Sequence, residues 1–390
     1  MREQINKFLA QFDFDVRKSK DARFVDQKCT PDIVCFVADC VLNMVSTKPL
    51  FVINDIWKTQ YFIQNSRVVF NKPWADDKKA YNEYNKVLSQ PLKLLAYAKV
   101  LNVSKVNASL TFSVNNEELL DYISRKDRNT YNFLYCYFTK VLKDSGFLKN
   151  LEEYKAEQVK GLNEARENLY EKYFRFITGN TPTHSRLDIR RMFHKILNIY
   201  AVENNVPGSK GKFVMTFSET MYNKKNWRDI NKEKSVTRQE ALSAEDVEKQ
   251  EVINAYYVQK AIALIKKTHK ESEVNDYWSA GEATQVHHIF TRSEFPEIAH
   301  YVENLILLTA TQHNTKAHPS NRTQQINKDY QLTCLLAKSD SIEKSLNKGE
   351  FVYRKESFIY VINKGLSVEF SNKIDFTTIK SELTKIYNTA

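Results

Sequence analysis

The sequence predicts an α+β chain that is mainly helical, and three observations carry the expectation. Capped segments with apolar residues at three- and four-residue spacing recur along most of the 390 residues. One alternating stretch, Ala108 to Val114, reads as a strand. Two further apolar runs, Val286 to Phe290 and Asn304 to Leu308, bracket a loop and read as a second pair of strands. With 42% hydrophobic and 12% aromatic residues, the chain buries enough apolar surface to offset its ordering entropy. Its length suits two or three domains.

In chain order, Thr30-Pro31-Asp32 gives an N-cap and a first-turn proline, and Ile33, Val34, Phe36, Val37, Val41 and Leu42 make the helix that follows apolar over much of its surface. A short helix is expected over Asn54 to Tyr61, then Tyr81 to Leu88 and Pro91 to Leu101 as two more, because proline removes a helical hydrogen bond. The Ala108 to Val114 strand and a helix over Asn116 to Ile123 follow. Three helices, a strand and a helix is the order of a winged helix, a DNA-reading module, and equally that of plain core helices in an α+β domain. Arg128 to Lys143 reads as an aromatic-rich helix ended by Gly146. These elements form a helical segment, 1–150, with winged-helix order.

The segment 151–250 reads as a helical, basic connecting region. A charged helix is expected over Leu151 to Phe174, broken at Gly179-Asn180-Thr181-Pro182, and an amphipathic one over Ser185 to Tyr200. Between Arg186 and Lys234 there are eleven basic and five acidic residues, over half of the chain's net charge of +11. Arg190, Arg191, Lys224, Lys225 and Arg228, interleaved with Tyr222 and Trp227, are candidate phosphate contacts. A solvated basic face is the plainer reading of the same residues. Residues 231 to 250 look like a turn-prone connection, and Val252 to His269 another amphipathic helix. The segments 251–330 and 331–390 complete the chain, the last as a helical extension.

Composition excludes several function classes. Only 8 glycines occur, and neither G-x-x-x-x-G-K-S/T nor G-x-G-x-x-G is present, so backbone phosphate cradles for NTP or NAD lose their basis. Five cysteines at scattered positions form no C-x-x-C pair, which argues against a disulfide scaffold or a cysteine-ligated zinc and suits a reducing cytosol. No uncharged apolar run of membrane length occurs, so the expectation is a cytoplasmic protein without a membrane partner. Scarce Gly and Pro beside abundant Lys, Asn, Ile and Tyr suit an AT-rich bacterial genome.

Of 8 histidines, His287, His288, His300, His313 and His318 fall inside 32 residues. The passage runs strand, loop, strand, helix: Gln285-Val286-His287-His288-Ile289-Phe290, then Asn304-Leu305-Ile306-Leu307-Leu308, then a helix carrying His313 that Thr311 can cap. It resembles the HNH, or ββα-metal, nuclease motif, with a doublet ending in His on the first strand, an Asn opening the second and a metal-binding His on the helix. The resemblance implies a ββα-metal nuclease module within 251–330. Thr309 and Gln312 stand where many members carry zinc-binding cysteines, which implies a module held by packing alone. The resemblance also assigns roles: His288 general base, His287 and His313 metal ligands, and Asn304 a hydrogen bond to the connecting loop that orients the base.

Neighbouring strand residues point to opposite faces, so the two histidines can hold different tasks. His318 lies five residues past His313, not the four that align two side chains on an α-helix, and is a candidate ligand or phosphate contact. Lys316, Arg292 and Arg322 are candidate phosphate contacts, and His300 reads as incidental. The overall plan is similar to HNH-type type II restriction endonucleases. That implies Mg²⁺, with Mn²⁺ or Ni²⁺ as alternatives, a double-stranded DNA substrate, a homodimer or a nicking monomer, and a cognate DNA methyltransferase in phage defence. A low-specificity defence or toxin nuclease on DNA or RNA, and a non-enzymatic winged-helix regulator, are the readings from other classes.

Overall fold

The computed structural model describes residues 1–70, 81–106, 109–157, 162–210, 214–222, 255–317 and 327–389. The chain is mainly helical with two small antiparallel sheets. It divides into two compact units, Met1–Ser235 and Val236–Ala390. The segment boundaries expected at 150 and 330 do not follow the elements: a helix crosses each, Leu148–Glu157 and Lys328–Asn347.

The first unit runs α1 (Arg2–Leu9), α2 (Val16–Ser19), α3 (Pro31–Val45), α4 (Ile53–Trp57), α5 (Gln60–Phe70), α6 (Tyr81–Tyr97), β1 (Leu101–Val106), β2 (Ser109–Val114), α7 (Glu117–Arg125), α8 (Asp127–Asp144), α9 (Leu148–Glu157), α10 (Leu162–Asn180) and α11 (Arg186–Asn204). Helix α3 is buried on nearly every face, as an all-round apolar helix must be, and packs against α6, α7 and α8. Pro91 does not break the chain into two helices; it sits inside the single helix α6. Burial of Val87, Leu88, Leu92, Leu94 and Leu95 around it offsets a proline cost of about 3 kcal/mol. The chain from Leu101 turns into a strand that the alternation at Ala108 did not reveal, and β1 pairs with β2 as a hairpin. The helix expected over Asn54 to Tyr61 is instead two, α4 and α5.

The helix expected over Leu151 to Phe174 is described as α9 and α10, with 158–161 outside the described residues. Lys172 lies 3.0 Å from Glu153. Nineteen residues apart on one straight helix they would be roughly 28 Å apart, so the two helices fold back on each other. Helix α11 returns along α10: Arg186 pairs with Glu171 at 2.6 Å and Arg190 with Glu167 at 3.1 Å, four residues down one helix for four up the other.

The second unit contains α12 (residues 255–268), β3 (Ala283–His288), β4 (Leu305–Thr309), α13 (Lys328–Asn347), α14 (Lys355–Leu366) and α15 (Phe376–Thr389). Every residue of β4 is buried, in one core with Ile265, Ile289, Phe290, Cys334, Leu335, Phe358, Ile362 and Leu383. Gly365 allows α14 to rest on Phe290, because a Cβ there would lie 2.3 Å from the ring. Among the described residues no helix is long and apolar enough to cross a membrane.

Candidate active site

Strand β3 pairs antiparallel with β4, placing His287 opposite Ile306 and His288 opposite Leu305. The strands begin and end differently from the expectation: β3 spans Ala283 to His288, not Val286 to Phe290, and Asn304 sits just ahead of β4. The far edge of β4 is closed at Leu307 by Glu273, with the Ser272 hydroxyl beside it. The Glu273 N–H donates to the Leu307 carbonyl at 3.0 Å, and its Oε1 accepts from the Leu307 N–H at 2.9 Å. Its Oε2 lies 2.6 Å from the Lys338 ammonium, both side chains fully buried. Tyr353 accepts from Lys338 at 3.2 Å and meets His269 Nε2 at 2.6 Å. Burial lowers the Lys338 pKa, while Glu273 favours the charged amine.

Alternation along β3 separates the doublet. His287 is buried, and its ring meets that of His313 edge-on, centroids 5.5 Å apart and planes at 79°. His288 lies on the other face, where its Nε2 is 3.1 Å from the Ala299 carbonyl. A carbonyl only accepts, so Nε2 carries the proton and the neutral ring keeps its lone pair on Nδ1. Burial lowers the His288 pKa; the carbonyl contact opposes this, and nearby Arg292 adds to it.

Asn304 is fully buried and ties down the connecting loop. Its Oδ1 accepts from the Phe290 N–H at 2.9 Å, and its Nδ2 donates to the carbonyls of Phe290 at 3.0 Å and Ile298 at 3.3 Å. These bonds close the loop that delivers the Ala299 carbonyl to His288.

The turn carrying His313 starts at Thr309, not Thr311. Thr309 Oγ1 accepts from the Gln312 N–H at 3.2 Å, and Gln312 Oε1 accepts from the Thr309 N–H at 3.0 Å, a reciprocal capping box. Gln312 also accepts from the Ser272 hydroxyl at 2.6 Å and donates to the Val274 carbonyl at 2.9 Å and Asp276 Oδ1 at 2.8 Å. Packing alone therefore does not hold this corner; hydrogen bonds from Thr309 and Gln312 do. The turn is wider than an α-helix, of π type over Gln312–Ala317. His313 Nδ1 lies 2.9 Å from Asn314 Oδ1, an acceptor, so the ring proton sits on Nδ1.

His287 and His313 thus fit a divalent ion as two imidazole donors. Among the described residues no three His, Cys, Asp or Glu side chains converge as a metal site; His318 lies outside them. Arg322, Lys224, Lys225 and Arg228 also lie outside the described residues. Lys316 sits on the His313 turn with its ammonium 4.7 Å from the Trp278 ring centroid, and Arg292 is exposed beyond His288. Arg190 has Glu167 as partner and Arg191 has Asp188 at 3.3 Å, both exposed pairs on the α10–α11 surface.

Glu273, Lys338 and Asp276 were missed in the sequence, and Gln312 was read only as standing where a zinc-binding cysteine would be, not as the hub of a hydrogen-bond network. The Thr-x-x-Gln spacing of a capping box was readable at Thr309; the Glu273–Lys338 pair, 65 residues apart, left no local signal. No protein-family profile, curated protein or solved structure matches the chain, so the chemistry rests on these residues themselves.

Proposed function

We propose that the protein is a divalent-metal-dependent endonuclease that hydrolyses phosphodiester bonds of double-stranded DNA. The observation that carries the reading is the split doublet: His287 facing His313 at 5.5 Å, and His288 on the opposite face with a basic Nδ1. His288 takes a proton from water at Nδ1. The hydroxide attacks phosphorus, the bond to the 3′ oxygen breaks with its electron pair leaving on that oxygen, which takes a proton from solvent, and the products carry 5′-phosphate and 3′-hydroxyl ends. Asn304 holds the loop that fixes the His288 ring. Mg²⁺, or Mn²⁺ or Ni²⁺ in its place, would be held by His287 and His313, and when bound it supplies Lewis-acid polarisation of the phosphate and charge relief at the leaving oxygen. His318, five residues past His313, stays a candidate further ligand or phosphate contact.

The finer reading is an HNH-type type II restriction enzyme in phage defence, acting as a homodimer on two-fold sites beside a cognate methyltransferase, with residues 1–150 reading bases. Plasmid DNA, methylated and unmethylated, incubated with Mg²⁺, Mn²⁺ or Ni²⁺ tests it. Cleavage abolished by EDTA and by His288→Ala is the expected result, and fixed termini on sequencing identify a restriction enzyme rather than a nonspecific one. Absence of cutting on every DNA and RNA substrate sinks the reading.

A further inference from the structure

Beside the His313 turn stands an exposed aromatic pair that the hydrolytic chemistry leaves unused. Tyr277 is 86% exposed and Trp278 39% exposed, their rings meeting edge-to-face with centroids 5.1 Å apart. Tyr277 exceeds every other exposed large hydrophobic side chain among the described residues. Two adjoining rings left in water make an exposed apolar patch rather than a lone surface side chain. The pair is also firmly mounted. Asp276 Oδ1 accepts from the Trp278 N–H at 2.8 Å, and its Oδ2 accepts from the Tyr330 hydroxyl at 2.9 Å. The Trp278 carbonyl accepts from Thr309 Oγ1 at 2.9 Å. The same Gln312 network that holds the His313 turn therefore holds this loop, and Lys316, three residues past His313, places its charge over the indole.

We infer that Tyr277 and Trp278, with Lys316 beside them, form a stacking site for an unpaired nucleobase of the nucleic acid bound at the His287–His313 site. Aromatic faces next to a cation are the combination that binds single-stranded segments: rings stack on the base and the ammonium meets the phosphate. A fully stacked duplex offers no free base face, so the partner must expose one, through a bulge, a mismatch, a single-stranded segment or a base turned out of the helix. Trp278 is hydrogen-bonded to Thr309, the partner of Ala283 at the start of β3, and Ala283 to His287 is roughly 13 Å at about 3.3 Å per residue, so the aromatic loop lies a few nucleotides from the candidate scissile position.

The inference rests on the nuclease reading, and its test separates the two. His288→Ala protein with Mg²⁺ is titrated against a duplex with one central unpaired 2-aminopurine and against the perfect duplex. The bulged duplex is expected to bind more tightly, with quenched 2-aminopurine fluorescence. Adding Tyr277→Leu or Trp278→Leu is expected to weaken bulge binding roughly 5- to 150-fold, the range of one lost base stack, whereas Tyr277→Phe retains it. Equal bulge binding by the Leu variants, while the unmodified protein cuts DNA, overturns the stacking site alone. Failure of the unmodified protein to cut or bind any nucleic acid overturns both.

Discussion

The two sheets share a plan and differ in what backs them. Each is a pair of antiparallel strands, β1 with β2 and β3 with β4. In β1 only Leu101 is buried, and Val103 and Val106 stand 47% and 52% exposed. In β4 every residue is buried, and its outer edge is closed at Leu307 by Glu273 rather than by water. A lone hairpin is marginal in water. A sheet becomes a platform for chemistry when helices cover its face and buried partners fix its edge, because catalytic groups need placement within a fraction of an ångström. The β3–β4 pair has both supports, and it carries the histidines.

The largest effect is expected where chemistry is lost without loss of fold. His288→Ala should lower the cleavage rate about 10²- to 10⁴-fold, the usual share of a general base, with folding retained. The same residue sets a pH profile. Its pKa is lowered by burial, so the rate should hold to a lower pH than an ordinary imidazole base would allow, and fall below that. An unfolded chain accepts that proton more readily, so acid should also destabilise the second unit. A rate that already halves above pH 6.5 contradicts His288 as the base.

Breaking the support of β4 comes next. Lys338→Met leaves the Glu273 carboxylate buried without its cation and should cost about 3–5 kcal/mol in urea unfolding. Pairing it with Glu273→Gln should recover much of that loss, since the amide oxygen can still accept from Leu307. Asn304→Ala removes three buried hydrogen bonds and should cost about 2–3 kcal/mol, with hydrogen exchange rising in the 290–299 loop. The smallest effect belongs to the other sheet: Val103→Thr should stay within about 0.5 kcal/mol. A loss as large as that of Asn304→Ala would show that β1–β2 is supported as firmly as β3–β4, and would end the contrast.

The sequence by itself determined the helical character, the α3 core helix with Pro31 at its start, and the order His287, His288, Asn304, His313, because caps and apolar periodicity act within a few residues. Opposite faces for the two histidines also followed from strand alternation alone. Only tertiary structure decided the rest. Pro91 sits inside α6 because surrounding leucines outweigh a local preference. The Thr309–Gln312 corner is held by Ser272, Val274 and Asp276, some forty residues upstream. The Glu273–Lys338 pair exists only once α13 packs behind β4, and the exposure of Tyr277 is a property of the folded surface. Local rules set each element, while burial and distant hydrogen bonds decide which elements meet.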